Sequence, residues 1–187
     1  ATVRIGNTVI RGPFLMDTGS GGTIDFTSEA TRKYKLDSIR RKKQITDISN
    51  FGIGSKEKEY YTDMQSDLIV IGEDTIKKRV VSYLPQGVGA LSKRKYLGIV
   101  GNAIWSKYNL LLDIVHQCVY VKRFKKDKAA SAEYDYGFRN RTDICDGWIV
   151  SSLVRDGDAA KAGMELGDTI VAVNGKPAKA FTWDEEE

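Results

Sequence analysis

Residues 13 to 26 read "PFLMDTGSGGTIDF", and two readings of Asp17 divide what the chain can be. The apolar run Phe14-Leu15-Met16 ends at Asp17, and the glycine-rich turn Thr18-Gly19-Ser20-Gly21-Gly22 follows. A carboxylate so placed can simply close its own turn, accepting from amides two residues on. It can also stand at the mouth of a sheet as one of two paired aspartates, delivered by a strand and approached closely because glycine carries no side chain. The rest of the chain has to be weighed against that choice.

The 187 residues are 41% hydrophobic and 29% charged, an ordinary globular composition with enough apolar material for a core. The net charge of +4 is built from short basic runs at 40–43, 77–79, 93–95 and 122–128, offset by a terminal "DEEE". No nucleic-acid motif accompanies these runs, so they read as solvated faces and no nucleic-acid partner is expected. No apolar run approaches the length of a membrane span. The chain opens on Ala1 without a Met or a signal peptide, as expected of a processed or trimmed chain, from which an export signal could have been lost.

Cysteine and histidine narrow the chemistry. Cys118 and Cys145 are too few and too far apart for a disulfide framework or a zinc site, and read as free, partly buried thiols. His116 is the single histidine, set in "DIVHQCVYV" at a turn between short strands. Ser-His-Asp and Cys-His catalysis both need a histidine base, so a hydrolase here is expected to work without one.

Local patterns predict a β-rich chain. Short strands cover residues 2–16, Thr27 or Ser28 caps a helix over "SEATRKYKL", and "ITDISNFGIGSKEKEYYTDM" reads as a hairpin with a glycine-containing arm. "DLIVIG" and "KRVVSYL" are further strands. "YLGIVGNAIWSKYNLLLDI" gives a buried strand, a glycine turn and a short helix, with Trp105, Tyr108 and Tyr120 expected in the core and Asp113 at a strand end. A polar, small-residue stretch, "KKDKAASAEYD", then reads as a linker. Beyond it Asp158 is expected to cap a short helix ended by Gly163, Thr169 to Val173 to form a strand, and Asn174-Gly175 to make a tight turn.

Three features in order give residues 1–126 a family likeness: Asp17-Thr18-Gly19-Ser20 after an apolar strand, the glycine-bearing hairpin "ISNFGIGSKEKEYY", and "LGIVGNAIW" from Leu97 to Trp105. A bare Asp-Thr-Gly arises by chance in roughly one chain in thirty of this length, so the combination carries the weight. This region resembles a retropepsin-like aspartic protease domain. The resemblance implies an acid-protease β-barrel in which Asp17, Thr18 and Gly19 form the catalytic signature. Thr18 would brace the opposing loop, and Asn50, Phe51, Gly52 and Ile53 on the hairpin flap would cover substrate. Two close carboxylates share a proton, the ionised one activating a water and the protonated one hydrogen-bonding the scissile carbonyl. No metal or cofactor is required by that chemistry. Only one Asp-Thr-Gly is present, since Asp146-Gly147 and Asp156-Gly157 lack the middle Thr or Ser. The second aspartate is therefore expected from an identical partner chain or an upstream half.

Residues 134–187 carry Tyr136-Gly137-Phe138 and "GWIVSSLVRDGDAAKAGMELGDTIVAVNG", and resemble a bacterial PDZ domain, a small α+β module. The resemblance implies that the 136–138 loop receives a peptide's terminal carboxylate. Only 12 residues follow Gly175, where the family adds another helix and strand, so the module reads as incomplete at its C-terminus. Peptide binding and a purely packing role stay open for it.

The expected organisation is thus a mostly-β chain with a protease-like domain at 1–126, a linker at 127–133 and a PDZ-like domain at 134–187. Some bacterial proteins of this type carry two protease halves before a PDZ-like domain. The expected activity is aspartic peptide-bond hydrolysis on a peptide or protein substrate, in an extracytoplasmic bacterial compartment. The alternative is a non-catalytic peptide-binding or scaffold protein built on an inactive protease fold.

Overall fold

A computed structural model describes residues 1–49, 58–84, 91–92, 95–124, 136–141 and 147–181. The described residues are mostly β, with 48% strand against 14% helix, in the expected class. It divides into two compact units, one of residues 1–43 with 62–133 and the other of residues 44–61 with 134–187. The linker expected at 127–133 lies outside the described residues.

In chain order the elements begin with β1 (Thr2–Ile5), β2 (Thr8–Arg11), β3 (Leu15–Met16), β4 (Ile24–Phe26) and α1 (Ser28–Tyr34). Next come β5 (Lys43–Ser49), β6 (Lys58–Gln65), β7 (Leu68–Ile71), β8 (Asp74–Lys77), β9 (Val80–Tyr83) and β10 (Gly98–Val100). Then follow α2 (Asn102–Trp105), β11 (Tyr108–Asp113), β12 (Cys118–Arg123), β13 (Phe138–Arg141) and β14 (Trp148–Val154). The chain continues through α3 (Asp158–Lys161), β15 (Thr169–Ile170), β16 (Ala172–Val173) and β17 (Lys176–Pro177).

In the first unit, β2-β1-β7-β8 form an antiparallel sheet whose strands alternate buried and solvated positions. Val3, Ile5, Ile10, Ile69 and Ile76 supply its buried face, as period-two patterning requires. A second set of strands runs β6 (from Thr62), β9, β4, β10, β3. Two of its pairings are parallel, β4 with β9 and β10 with β3. Phe26 and Ile24 are fully buried on β4, each contributing about 1.5–3 kcal/mol of hydrophobic stabilisation. Thr27 caps α1 by accepting the Ala30 N–H, and Lys35 in the left-handed region ends it. No barrel closes among the described residues, so the closed β-barrel implied by the family likeness is not seen.

Trp105 and Tyr108 are buried and meet edge to face, as expected of core aromatics. Tyr120 is instead exposed on the two-stranded β11–β12 hairpin, so its core assignment is corrected. An aromatic on a two-stranded ribbon has a second face with no sheet beneath it. Cys118 is free and exposed rather than partly buried.

In the second unit β14 lies between β13 and β5, and β15 also pairs with β14. The core is small: Val150, Leu153 and Ala159 are buried, with Phe138, Met164, Leu166 and Ile170 packed on them. The α3 cap is Gly157 and not Asp158, which sits in the first helical turn where its charge suits the helix dipole. The strand expected over 169–173 is broken at the exposed Val171, one half pairing with β14 and the other with β17. Asn174 and Gly175 both take positive φ, 51° and 79°, as a tight primed turn demands.

Candidate functional site

β3 carries Asp17 to its position. Leu15 and Met16 pair in parallel with Ile99 and Val100, and the Asp17 N–H continues the ladder by donating to the Val100 carbonyl at 3.0 Å. The chain then turns back on Asp17. Its Oδ1 accepts the Gly19 N–H at 2.9 Å and the Ser20 N–H at 3.1 Å. One carboxylate oxygen is therefore anchored by backbone, and the other, Oδ2, makes no hydrogen bond to a described residue.

The turn is held from behind by the segment after β10. Gly101 N–H donates to Thr23 O, Asn102 N–H to Ser20 O at 2.6 Å, and Ala103 N–H to Gly22 O. A Cβ at Gly101 would come within 2.8 Å of the Gly22 carbonyl carbon, and one at Gly98 within 2.7 Å of the Asp25 carbonyl oxygen. Both glycines are thus required by close backbone approach, the physical content of the "LGIVGNAIW" element. Trp105 Nε1–H donates to Val100 O at 2.6 Å and seats the short helix against β10.

Of the three residues expected to form a catalytic signature, Asp17 is half-buried and Thr18 and Gly19 are exposed. Gly19 serves Asp17 directly through its N–H, and a Cβ there would lie 3.3 Å from Asp17 Oδ1. Asn50, Phe51, Gly52 and Ile53, named as the flap, lie outside the described residues.

A residue not singled out in the sequence joins the site. Asp25 on β4 points its carboxyl beneath Gly22, where a Cβ would lie 2.8 Å from Oδ2. Ser20 Oγ donates to Asp25 Oδ2 at 3.3 Å and accepts the Gly22 N–H. Across the sheet Asp25 pairs with Ile99 and Ser82, and Ser82 pairs with Asp63. The Ser82 hydroxyl donates to Asp63 Oδ1 at 2.5 Å. Burial pushes the Asp25 carboxyl above the ordinary aspartate value; the Ser20 hydroxyl pulls it down, and the charges of Asp63 and Asp17 add to the rise. The signal available in the sequence was an acid alternating with Ile24 and Phe26, both fully buried.

In the second unit, Gly137 takes φ +85° and packs on Gly157, whose Cα a Cβ at Gly137 would approach to 3.2 Å. Its carbonyl accepts the Val154 N–H at 2.7 Å, and the Tyr136 carbonyl accepts the Ala159 N–H at 3.1 Å. Tyr136 is exposed, while Phe138 begins β13 and packs on the small core. β13 is the end strand of its sheet among the described residues.

His116 Nδ1–H donates to Asp113 Oδ2 at 2.7 Å in the exposed β11–β12 turn, and no group of three or more metal-ligating side chains occurs among the described residues. No described helix is long and apolar enough to cross a membrane. No protein-family model, no curated protein and no solved structure matches the chain.

Proposed function

We propose that the first unit is one catalytic half of an aspartic endopeptidase, with Asp17 as one member of an aspartyl dyad and the second aspartate supplied by a partner chain or an upstream repeat. The observation that carries this reading is the presentation of Asp17. It ends a strand, one oxygen is fixed by two backbone N–H donors, and the other has no hydrogen-bond partner among the described residues. A carboxylate fixed by backbone needs no reorganisation when it takes a proton from water. Facing a second aspartate, it would share one proton with it, because two adjacent carboxylates do not ionise together. The ionised member then activates water toward a peptide carbonyl that the protonated member polarises. Thr18 bracing the opposing loop follows from the family likeness alone.

The same likeness assigns residues 134–187 to a PDZ-like module, with Tyr136, Gly137 and Phe138 at a peptide-carboxylate loop and a boundary near 127–133. It also assigns the protein to an extracytoplasmic bacterial compartment. The test is peptide hydrolysis by the assembled dimer or full-length chain, compared with its Asp17→Asn variant. Loss of hydrolysis in the variant with the fold retained supports the reading. An assembled protein that binds peptides but cleaves none would favour the non-catalytic scaffold instead.

A further inference from the structure

We infer that Asp25 is a positioning residue for Asp17, acting through Ser20. Ser20 is the shared element: its N–H donates to Asp17 Oδ1 at 3.1 Å, and its Oγ donates to Asp25 Oδ2 at 3.3 Å. The Asp25 carboxyl also fills the space under Gly22, so the turn that presents Asp17 rests on it. Neither contact is explained by the strand alone, because an isolated β4 needs no acid between two buried apolar residues.

Among the described residues the groups facing Asp25 are few. The turn offers Asp17 and Ser20, β9 offers Ser82, β10 offers Ile99, and β6 offers Asp63 through Ser82. The titratable members are all acids, and among the described residues no cation bonds to Asp25. Burial, with these like charges behind it, raises its titration above the ordinary aspartate value. Its charged form draws harder on the Ser20 hydroxyl and adds negative charge beside Asp17, which helps a nearby acid pair retain a shared proton.

The pH–rate arm of the test rests on the peptidase reading; the titration arm does not. Carbon-detected titration of the carboxyl groups, with amide shifts followed in parallel, reads the link directly. The Asp25 midpoint should fall in Asp17→Asn, which removes a negative neighbour, and rise in Ser20→Ala, which removes the bond favouring the carboxylate. The Gly19 and Ser20 amide resonances should show an inflection at the Asp25 midpoint that disappears in Asp25→Asn. In the assembled enzyme, Asp25→Asn should move the alkaline limb of kcat/KM to lower pH, with the rate falling about tenfold per pH unit beyond it. Amides that ignore the Asp25 titration would overturn the inference, and so would a variant rate lowered uniformly at every pH. If the assembled protein hydrolyses nothing, the peptidase reading fails while the amide inflections still decide the link between Asp25 and Asp17.

Discussion

Gly101 lies against the backbone of Gly22 so closely that a Cβ at Gly101 would sit 2.8 Å from the Gly22 carbonyl carbon and 2.9 Å from the Ser20 carbonyl oxygen. Two backbone segments far apart in sequence, one after β3 and one after β10, are locked face to face by three N–H donors. Asp17 is presented by one of these segments, so the geometry of the carboxylate depends on a residue that never touches it.

Gly101→Ala should therefore act on both fold and site. The backbone on either side is hydrogen-bonded and cannot slide away, so the added methyl forces a shift. Overpacking of this kind costs about 1–3 kcal/mol, with more where the neighbour is main chain. Denaturant titration should show the loss. The amide resonances of Gly19 and Ser20 should move with it, whereas Gly72→Ala, at a turn with nothing near its Cβ, should leave those amides in place.

The acid limb of stability should carry two opposite contributions. Asp67 is held below the ordinary aspartate value of 3.8 first by Arg41, 2.6 Å away, and then by the Gly6 N–H. Its unfolded form binds a proton before its folded form does, so its contribution is present above that value and lost as pH falls through the lowered folded pKa. Asp25 behaves in reverse. Its folded pKa is raised, so the folded state binds more protons, and stability is lost as pH rises from 3.8 through the raised value. Unfolding free energies measured across pH should show Asp25→Asn flattening the decline above 3.8. Asp67→Asn should flatten the decline below it. The reverse pattern would contradict both assignments.

In the second unit, Arg155 holds Asp47 with two hydrogen bonds of 2.8 Å each and lies 4.7 Å from the Tyr60 ring centre. Both members of the pair are substantially exposed, so the interaction is screened. Arg155→Lys keeps the charge but not the fork, and should cost at most about 1 kcal/mol. Part of that loss should disappear at high salt. A larger loss would mean that the pair fixes the register of β5 on β14 and does more than decorate it.

What could be read from the sequence followed the range of the interactions. Asp17 in its turn, the Thr27 cap and the Asn174-Gly175 turn depend on residues within a few positions, and each leaves a compositional mark. Gly98 and Gly101 were legible as a motif, but the reason for them is a contact with residues about 75 positions earlier. Asp25 was not legible. Its role depends on Ser20 folding back over it and on Ser82 and Asp63 arriving from other strands in register. The pairing of β14 with β5 likewise joins residues about a hundred positions apart, and no local pattern announces it. Tyr120 misled because aromatic composition says nothing about whether a hairpin has a second layer beneath it.

The sharpest experiment separates what Asp17 does for the fold from what it does chemically. Asp17→Asn keeps an oxygen where Oδ1 accepts the Gly19 and Ser20 N–H groups, so the turn should survive with a stability change of about 1 kcal/mol or less. Asp17→Ala removes the acceptor and leaves two N–H donors competing for water, which should cost about 1–3 kcal/mol. If Asp17 were only a turn residue, function would track stability, and Asn would be close to wild type. If it is half of an aspartyl dyad, hydrolysis by the assembled protein should vanish in Asn and Ala alike, because an amide can neither take a proton from water nor share one with a second acid. Thermal unfolding and peptide cleavage measured on the same three proteins give the answer. Cleavage that persists in the folded Asn variant would leave Asp17 as the closure of a turn and nothing more.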